Sequence, residues 1–340
     1  MTRVGITRLA SHFPEGRMTS ADIAARTGME QARVESELGI REKRIGAPGE
    51  SALDFAVSAG RKLLEGIDPA SIDMVIYATS SMPDYPLHWG VYSVHELLGL
   101  QNARTLELRY GCISSLHALE VARSYLRANP RLNRAVVIGA EGYHFDAAFA
   151  DYGHPGNEPM FIFGDGAAAA LVETDRVAEL TNVLHEFTFA VDSAGLGEIL
   201  VPAGGAKRFT SAETVAAGLN ASRATPPDPQ HMKRFGVRYV QRYAHVVREA
   251  LAASGFSDKP SFLLPNQLKP GLMRLVLTKL GLTADQTCVT MGEYGHVGTA
   301  DILFALETAL AANRLAPGDV AAIVSSGIGF SWGAAALEML

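Results

Sequence analysis

Short apolar runs bounded by turn residues alternate along the chain with longer stretches of helical periodicity. The apolar runs predict strands buried on both faces, at residues 72–79, 134–139, 167–172, 261–264, 286–290 and 319–325. Apolar spacings of three and four predict helices, at residues 52–65, 90–98, 116–128, 236–254, 271–280 and 299–312. This alternation predicts an α/β protein built from layers of helices and sheets.

The order of elements in the first half of the chain is echoed in the second. Each half ends in a glycine-rich strand hairpin, Phe163-Gly-Asp-Gly in one and Ser326-Gly-Ile-Gly-Phe-Ser-Trp-Gly in the other. We therefore expect an internal duplication with two halves, residues 1–174 and 175–340. Residues 203–231 are rich in Gly, Pro and Ser and lack periodicity, which fits either an excursion or lid, or a disordered surface loop.

Composition limits the classes of molecule that the protein is expected to bind and the compartment in which it is expected to function. The 340 residues include 30 Lys and Arg and 36 Asp and Glu, a net charge of −6 without a basic tract, which argues against a nucleic-acid surface. No apolar run reaches the roughly 18 residues that span a bilayer, and the first residues lack a signal core, so we expect a cytoplasmic protein. The two cysteines, Cys112 and Cys288, form no metal-ligand pattern, and we expect free thiols and no metal.

Cys112 is the first candidate for chemistry. It lies where a strand-like run at 104–108 breaks at Gly111 and a helical pattern begins. A thiol on the first turn of a helix lies among unpaired N–H groups at the positive end of the helix dipole, about half an elementary charge. Because this environment favours thiolate over thiol, Cys112 is predicted to be a nucleophile.

Five segments in this order resemble β-ketoacyl-ACP synthase III enzymes of the thiolase superfamily. They are Gly111-Cys112, Phe163-Gly-Asp-Gly-Ala, Leu264-Pro-Asn-Gln, Tyr294-Gly-His-Val-Gly-Thr and Gly327-Ile-Gly-Phe-Ser-Trp-Gly. The resemblance implies a thiolase-like five-layered α/β/α/β/α fold of two duplicated halves, usually homodimeric. It also implies acyl-CoA or acyl-carrier protein as substrate, with no bound cofactor. The N-terminal half would carry the nucleophilic Cys, and the C-terminal half the His and the oxyanion glycine.

Two positions depart from the family pattern. Ordinary members carry His in a Pro-His-Gln segment and Asn in a Tyr-Gly-Asn-Thr segment, whereas this chain has Asn266 in the first and His296 in the second. Decarboxylative condensation needs both side chains aimed at the malonyl thioester carbonyl. Because the two residues are exchanged here, we expect condensation to be lost. Asn266 retains a hydrogen-bond donor, and we assign it a supporting role.

Asp301 gives His296 a partner. It lies five residues after the histidine, so a helix that starts near Gly298 would bring the carboxylate back toward the imidazole. This predicts a catalytic set of Cys112, His296 and Asp301, with the aspartate fixing the tautomer of the base. The backbone N–H groups of Cys112 and Gly329 are the candidate oxyanion hole, since Gly329 matches the glycine of the family's hole.

The pattern resembles a subgroup of synthase III-like acyltransferases from natural-product pathways. We expect an acyl group to move from a CoA or carrier-protein thioester, through an acyl-Cys112 intermediate, to a small-molecule hydroxyl or a carrier-protein thiol. The setting would be secondary metabolism, such as polyketide or antibiotic biosynthesis, without decarboxylative condensation. Two alternatives stay open: a decarboxylative β-ketoacyl synthase III in which His296 and Asn266 share the work, and a non-catalytic subunit of a heterodimeric synthase.

Donor recognition also departs from the family. Arg33 stands where the family's adenine clamp has Trp, and Glu37 stands where it has Arg. The acyl donor would therefore be bound to a carrier protein, or be coenzyme A held differently. An acidic carrier protein would dock on a basic rim, for which the candidates are Lys233, Arg234, Arg238 and Arg248. The alternative is that these four residues form an ordinary solvent-exposed face.

Overall fold

The computed structural model describes residues 2–143, 161–193, 199–220, 223–224 and 229–340. The described strands are β1 (Val4–His12), β2 (Arg17–Thr19), β3 (Glu42–Arg44), β4 (Met74–Ala78), β5 (Arg104–Leu108), β6 (Arg134–Glu141), β7 (Gly166–Thr174), β8 (Asn182–Val191), β9 (Ile199–Leu200), β10 (Arg223–Ala224), β11 (Phe262–Pro265), β12 (Val320–Gly327) and β13 (Ser331–Met339). The described α-helices are α1 (Ser20–Thr27), α2 (Gln31–Arg33), α3 (Ala52–Leu63), α4 (Gly90–Leu97), α5 (Ser114–Ala128), α6 (Ala212–Ala216), α7 (Pro229–Ala253), α8 (Pro270–Leu280), α9 (Met291–Tyr294) and α10 (Asp301–Ala311).

Two mixed sheets organise the described chain. The first has the strand order β1-β7-β6-β4-β5, and the second has the order β11-β12-β13-β8. Strands β4, β5 and β6 run parallel, as do β11 and β12, whereas the remaining pairs in both sheets are antiparallel. Every strand of the first sheet comes from residues 4–174, and every strand of the second comes from residues 182–339.

Helices cover both faces of each sheet. Helices α3 and α4 pack on the outer face of the first sheet, and α7 and α8 pack on the outer face of the second. Helices α5 and α10 lie between the sheets, where they share one core with strands of both. β7 is buried along its whole length and contains four successive alanines, whose small side chains let helices approach from both sides. The predicted five-layer α/β/α/β/α fold is confirmed.

The prediction of a strand at residues 286–290 is wrong. Gln286 ends a short 3-10 helix that begins at Ala284, and only Thr287 forms an isolated bridge, to Leu263. The side chain of Gln267 takes the place of a neighbouring strand. Its Nε2 donates to the Cys288 carbonyl at 3.3 Å and its Oε1 accepts from the Thr290 amide at 2.9 Å, which satisfies this buried backbone without a ladder.

The long helix α7 begins at Pro229, seven residues before the predicted start. Proline suits the first turn of a helix because its missing N–H has no intrahelical acceptor there. The described part of residues 203–231 also contains α6 and β10, and β10 pairs with β9. No helix in the described ranges is both long enough and apolar enough to cross a membrane.

Candidate active site

Cys112 lies in the turn that joins β5 to α5. Gly111 has a φ of +66°, a conformation that glycine adopts without penalty, and it reverses the chain just before the cysteine. The Ser114 hydroxyl fixes this turn, because it accepts from the Tyr110 amide and donates to the Gly111 carbonyl, both at 2.7 Å. Helix α5 begins at Ser114, so Cys112 precedes the first helical turn by two residues rather than lying on it. The cysteine is buried, with 5% of its surface exposed.

His296 is held against the segment that precedes β7. The His296 amide donates to the Ile162 carbonyl at 2.7 Å, and the Gly164 amide donates to the His296 carbonyl at 3.1 Å. The Phe163 ring lies against the imidazole, with centroids 5.1 Å apart. Gly295 makes this approach possible, because a Cβ atom there would lie 2.9 Å from the Ile162 carbonyl oxygen. The Phe163-Gly-Asp-Gly hairpin of the first half thus positions the histidine of the second.

Asp301 is the first residue of α10 and reaches back to His296. A 3-10 turn over Gly298–Ala300 separates the two, and the His296 Nδ1 atom is hydrogen-bonded to Asp301 Oδ2. The same oxygen accepts from the Gln267 amide at 2.8 Å, and Oδ1 accepts from the Val297 amide at 2.8 Å. The structure therefore brings together the histidine and the aspartate that the five-residue spacing paired.

The Cys112 side chain and the His296 ring both pack against Phe163, and the sulfur is close enough to the imidazole to influence its charge. Burial disfavours a charged imidazole, but the Asp301 carboxylate and the Cys112 sulfur together raise the pKa of His296 well above its usual range. Two neighbours, the Asp301 carboxylate on Nδ1 and the Cys112 sulfur, thus favour the charged form of His296. Such an arrangement has the parts of a thiolate and imidazolium pair.

Gly329 lies in the turn between β12 and β13, which packs against the turn that carries Cys112. A Cβ atom on Gly111 would be 3.6 Å from the Ile328 amide nitrogen, and the Ser325 hydroxyl donates to the Cys112 carbonyl at 3.0 Å. Gly329 itself has a φ of +135°, which favours glycine, and a Cβ atom built there would meet no atom within 4 Å. The turn therefore presents its backbone beside Cys112 with open space at Gly329.

Asn266 belongs to a separate buried polar cluster. Its Oδ1 accepts from the Tyr243 hydroxyl at 3.2 Å, and its Nδ2 donates to the Ser326 hydroxyl at 3.3 Å. The Ser326 hydroxyl in turn lies 2.5 Å from the Tyr239 hydroxyl. One acceptor and one donor of the amide are thus taken by protein groups. In contrast to His296, Asn266 makes no hydrogen bond with Asp301 or Cys112 within the described part of the chain.

Tyr143 is a neighbour of Cys112 that sequence reasoning missed. Its side chain packs against the buried pair of Cys112 and Phe163, and its ring lies on Phe163 with centroids 4.5 Å apart. The residue follows β6 and belongs to no motif, so the sequence carried no signal for it. Over the described ranges, no group of three or more His, Cys, Asp or Glu side chains is placed to hold a metal ion.

Most of the residues considered for donor binding are engaged with other groups of the protein. Arg33 and Glu37 form an exposed two-point ion pair, at 2.8 and 3.0 Å. Arg238 pairs with Asp192 at 3.2 Å, and Arg248 donates to the Lys279 carbonyl at 2.7 Å. Arg234 is exposed on α7, whereas the side chain of Lys233 lies outside the described residues.

The five layers, with a buried thiol from one half beside a histidine from the other, define a thiolase-like α/β protein. Solved structures agree on this fold. The β-ketoacyl-[acyl-carrier-protein] synthase III of Thermus thermophilus superposes with a TM-score of 0.81 over 99% of each chain at 26% identity. The priming β-ketosynthase of the R1128 polyketide pathway superposes with a TM-score of 0.81 over 99% of this chain and 96% of that one, at 23% identity.

Sequence comparison specifies the family. The model of 3-oxoacyl-[acyl-carrier-protein] synthase III matches residues 106–192, and the model of its C-terminal part matches residues 252–339. The β-ketoacyl-[acyl-carrier-protein] synthase III of Symbiobacterium thermophilum is 31% identical over 98% of both chains. The chain belongs to the β-ketoacyl-[acyl-carrier-protein] synthase III family, a family of acyl-transferring enzymes.

Proposed function

We propose that the protein is an acyltransferase that forms an acyl-Cys112 intermediate and passes the acyl group to a hydroxyl or thiol, without decarboxylative condensation. The observation that carries this proposal is the position of His296, which has the Cys112 sulfur on one side and a hydrogen-bonded Asp301 on the other. A base held in this way serves proton transfer to and from oxygen or sulfur, as in other nucleophile, base and acid sets.

In the first half of the reaction, the Cys112 thiolate attacks the carbonyl carbon of the acyl thioester. The carbonyl oxygen becomes negative and is stabilised by the backbone N–H groups of Cys112 and Gly329. The carbon–sulfur bond of the donor then breaks, and the departing thiolate takes the proton of the His296 imidazolium. The products are acyl-Cys112, neutral His296 and the free thiol of the donor.

In the second half, neutral His296 takes the proton of the acceptor hydroxyl or thiol as that group attacks the acyl-enzyme. Cys112 leaves as a thiolate, which restores the charged pair. Asp301 keeps the proton on Nδ1, so that Nε2 faces the reacting atoms. The three hydrogen bonds that Asp301 accepts hold its carboxylate in this orientation.

The position of Asn266 argues against condensation. Condensation with loss of carbon dioxide needs two side chains that together stabilise an enolate oxygen. Here the Asn266 amide is hydrogen-bonded to Tyr243 and Ser326, and the Nδ1 side of His296 is occupied by Asp301. These contacts favour proton transfer by His296 alone over a shared enolate site.

Intact-mass spectrometry tests the proposal directly. After mixing with acyl-CoA or acyl-carrier protein, we expect a single acyl adduct that disappears when a hydroxyl or thiol acceptor is added. The adduct should be absent in Cys112→Ala and present in Cys288→Ala, the matched control. An adduct on the Cys112→Ala protein would contradict the assignment of the nucleophile, and an adduct that no acceptor removes would contradict acyl transfer.

Decarboxylative condensation is the second candidate, because the curated relatives are named β-ketoacyl-[acyl-carrier-protein] synthase III. In that case His296 and Asn266 would share the enolate in exchanged positions. Release of labelled carbon dioxide from a malonyl donor, dependent on Cys112 and Asn266, would favour condensation over our proposal. Absence of both adduct and carbon dioxide with every donor would favour a non-catalytic subunit.

We further propose a role in a polyketide or related natural-product pathway, with a carrier-bound donor. Support comes from the fold shared with the R1128 priming β-ketosynthase and from the Arg33–Glu37 ion pair at the position of the family's adenine clamp. If α7 supplies a basic docking rim, Arg234→Glu should slow acylation by a carrier-bound donor and leave acylation by acyl-CoA unchanged. Arg61→Glu, an exposed site on α3 at the opposite outer layer, serves as the control.

A homodimer is proposed on the basis of the free edge of the first sheet. Among the described residues, strand β5 pairs with β4 alone, and the nearby segment exposes Tyr85, Leu87 and Trp89. Edge strands and exposed apolar side chains of this kind are commonly covered by a partner. Sedimentation equilibrium should give twice the mass of the chain, and a monomer at micromolar concentration would refute the dimer.

A further inference from the structure

The turn between His296 and Asp301 is anchored on the other half of the protein. It is the 3-10 turn over Gly298–Ala300, and all three of its residues are buried. The turn lies against the carboxyl ends of β4 and β6, two neighbouring parallel strands of the first sheet. Because His296 precedes the turn and Asp301 follows it, the position of the turn on the first sheet affects where both side chains lie.

The Thr299 side chain makes the main contact between the turn and the strands. Its hydroxyl donates to the carbonyl of Ala78, at the end of β4, at 3.2 Å, and to the carbonyl of Ala140, near the end of β6, at 3.4 Å. The hydroxyl has a single proton, which the two carbonyls share. Thr299 has no exposed surface, so loss of its hydroxyl would take a donor away from carbonyls in the interior of the protein.

A buried carboxylate faces the backbone of the same turn. The Thr299 amide donates to Glu141 Oε1 at 3.4 Å, and Glu141 has no exposed surface. The carboxylate is itself held by the segment that follows β4, because the Ser80 hydroxyl donates to Oε1 at 2.8 Å and the Ser81 hydroxyl donates to Oε2 at 2.7 Å. The first half of the chain therefore presents an oriented acceptor to the turn.

Two glycines allow the turn to approach the first sheet this closely. A Cβ atom on Gly139 of β6 would lie 2.4 Å from the Thr299 carbonyl oxygen, and a Cβ atom on Gly298 would lie 2.9 Å from the Glu141 Cγ atom. Both distances are well below the roughly 3.5–4.0 Å at which non-bonded carbon atoms attract each other. A side chain at either position would push the turn away from the strands.

We propose that Thr299 is a positioning residue that fixes the His296–Asp301 pair relative to Cys112. Cys112 follows β5, a strand of the sheet on which the turn is anchored, so the anchor and the nucleophile share one support. Thr299 acts through the backbone that connects the histidine to the aspartate. This inference rests on the proposed function, in which His296 is the base, and it adds the contact that places this base.

Titration of His296 by NMR tests the anchor without any acyl donor. Because Asp301 and Cys112 raise the pKa of His296, this pKa reports how closely the two groups lie beside the imidazole. The protein carries isotope-labelled histidine, and the His296 signal is identified by its loss in His296→Asn. We expect the pKa of His296 to fall in Thr299→Val, which keeps the branched shape without the hydroxyl. Thr299→Ser retains the hydroxyl and should keep the wild-type pKa of His296.

Thr174→Val is the matched control. Thr174 is also fully buried, and its hydroxyl donates to an amide oxygen, Asn133 Oδ1, at 3.0 Å. It lies at the end of β7 remote from the segment that holds His296. Both valine variants should lower the free energy of unfolding in urea. Only Thr299→Val should slow the formation of acyl-Cys112, by about five- to tenfold, the size expected for one neutral hydrogen bond.

The outcomes separate a positioning role from a structural one. A lower pKa of His296 in Thr299→Val, with wild-type values in Thr299→Ser and Thr174→Val, supports the anchor. An unchanged pKa of His296 in folded Thr299→Val overturns it, even if stability is lost. If Thr299→Val does not fold, Thr299→Ala also lacks the hydroxyl, adds no bulk and is judged in the same way. If no acyl donor reacts with the wild-type protein, the proposed function fails, whereas the NMR titration still decides on the anchor.

Discussion

Replacement of Asp301 by asparagine should weaken the site without changing its shape. Three N–H donors converge on the carboxylate: His296 Nδ1 and the Gln267 amide on Oδ2, and the Val297 amide on Oδ1. An asparagine offers one oxygen and one NH2 group in the same space. At least one of the three donors must then face another donor, and His296 loses the negative charge beside it.

The expected size of the effect follows from the contacts that are lost. A hydrogen bond to a charged group contributes about 1.5–3 kcal/mol, so the loss of the His296 contact should slow acyl transfer roughly ten- to hundredfold. A wrong histidine tautomer would enlarge the loss, to about 10⁴-fold in the serine protease example of the same substitution. Burial already disfavours a charged imidazole, and without the raising effect of Asp301 the pKa of His296 should fall.

The assay follows acyl-Cys112 formation by rapid quench and intact mass over a range of pH. Because the imidazolium must protonate the departing thiolate, the alkaline decline of the wild-type rate should move to lower pH in Asp301→Asn. Asp54→Asn is the matched control, since Asp54 also lies in the first turn of a helix and accepts from a backbone amide, at Ser51, but lies far from the site. A folded Asp301→Asn protein with the wild-type rate and the wild-type alkaline decline would refute the reasoning.

Three further outcomes are expected. Gly298→Ala should lower the free energy of unfolding by about 2 kcal/mol or more, because backbone strain at positive φ adds to the clash with Tyr143. Urea denaturation measures this loss, with Gly281→Ala as the control, since φ is also positive there but no atom lies within 4 Å of the added Cβ. Equal losses in the two variants would contradict the close approach at Gly298. Iodoacetamide should label Cys112 before Cys288, because burial raises the pKa of the Cys288 thiol, and faster labelling of Cys288 would contradict this. Burial lowers the pKa of His296, but Asp301 and Cys112 outweigh burial and raise this pKa. The stability that His296 adds over His296→Asn should therefore be complete below the ordinary histidine pKa of 6.5, and it should be lost as the pH rises through the folded-state pKa. Urea denaturation over a range of pH checks this, and a stability difference that grows with rising pH would contradict it.

The sequence predicted the central strands well, because strands buried on both faces are continuous apolar runs. β4, β6, β7, β11 and β12 were found in this way. β1 and β8 were missed because only part of each strand is buried, so their apolar pattern is mixed with polar residues. The run at 286–290 looked like a strand for the opposite reason: three of its residues, Thr287, Cys288 and Thr290, are buried, but the Gln267 side chain satisfies the backbone there.

Within the site, contacts between residues close in sequence could be predicted, whereas contacts between distant residues could not. The pairing of His296 with Asp301 was predictable because it depends on a short spacing and one helix start. The approach of Cys112 to His296 followed only from the family resemblance. Tyr143 was not found, because it is distant from Cys112 in the sequence and only the folding of the first half brings the two together.

The hydrogen bond from the Ser325 hydroxyl to the Cys112 carbonyl spans 213 residues of sequence. During synthesis on the ribosome, the first sheet and its cysteine therefore emerge well before the turn that carries Gly329 or the loop that carries His296. A nascent chain therefore has the nucleophilic sulfur but neither its base nor the complete oxyanion hole, and we expect that it does not react with cellular thioesters. Reactivity begins only when the second sheet closes on the first, which ties the onset of chemistry to the completion of folding.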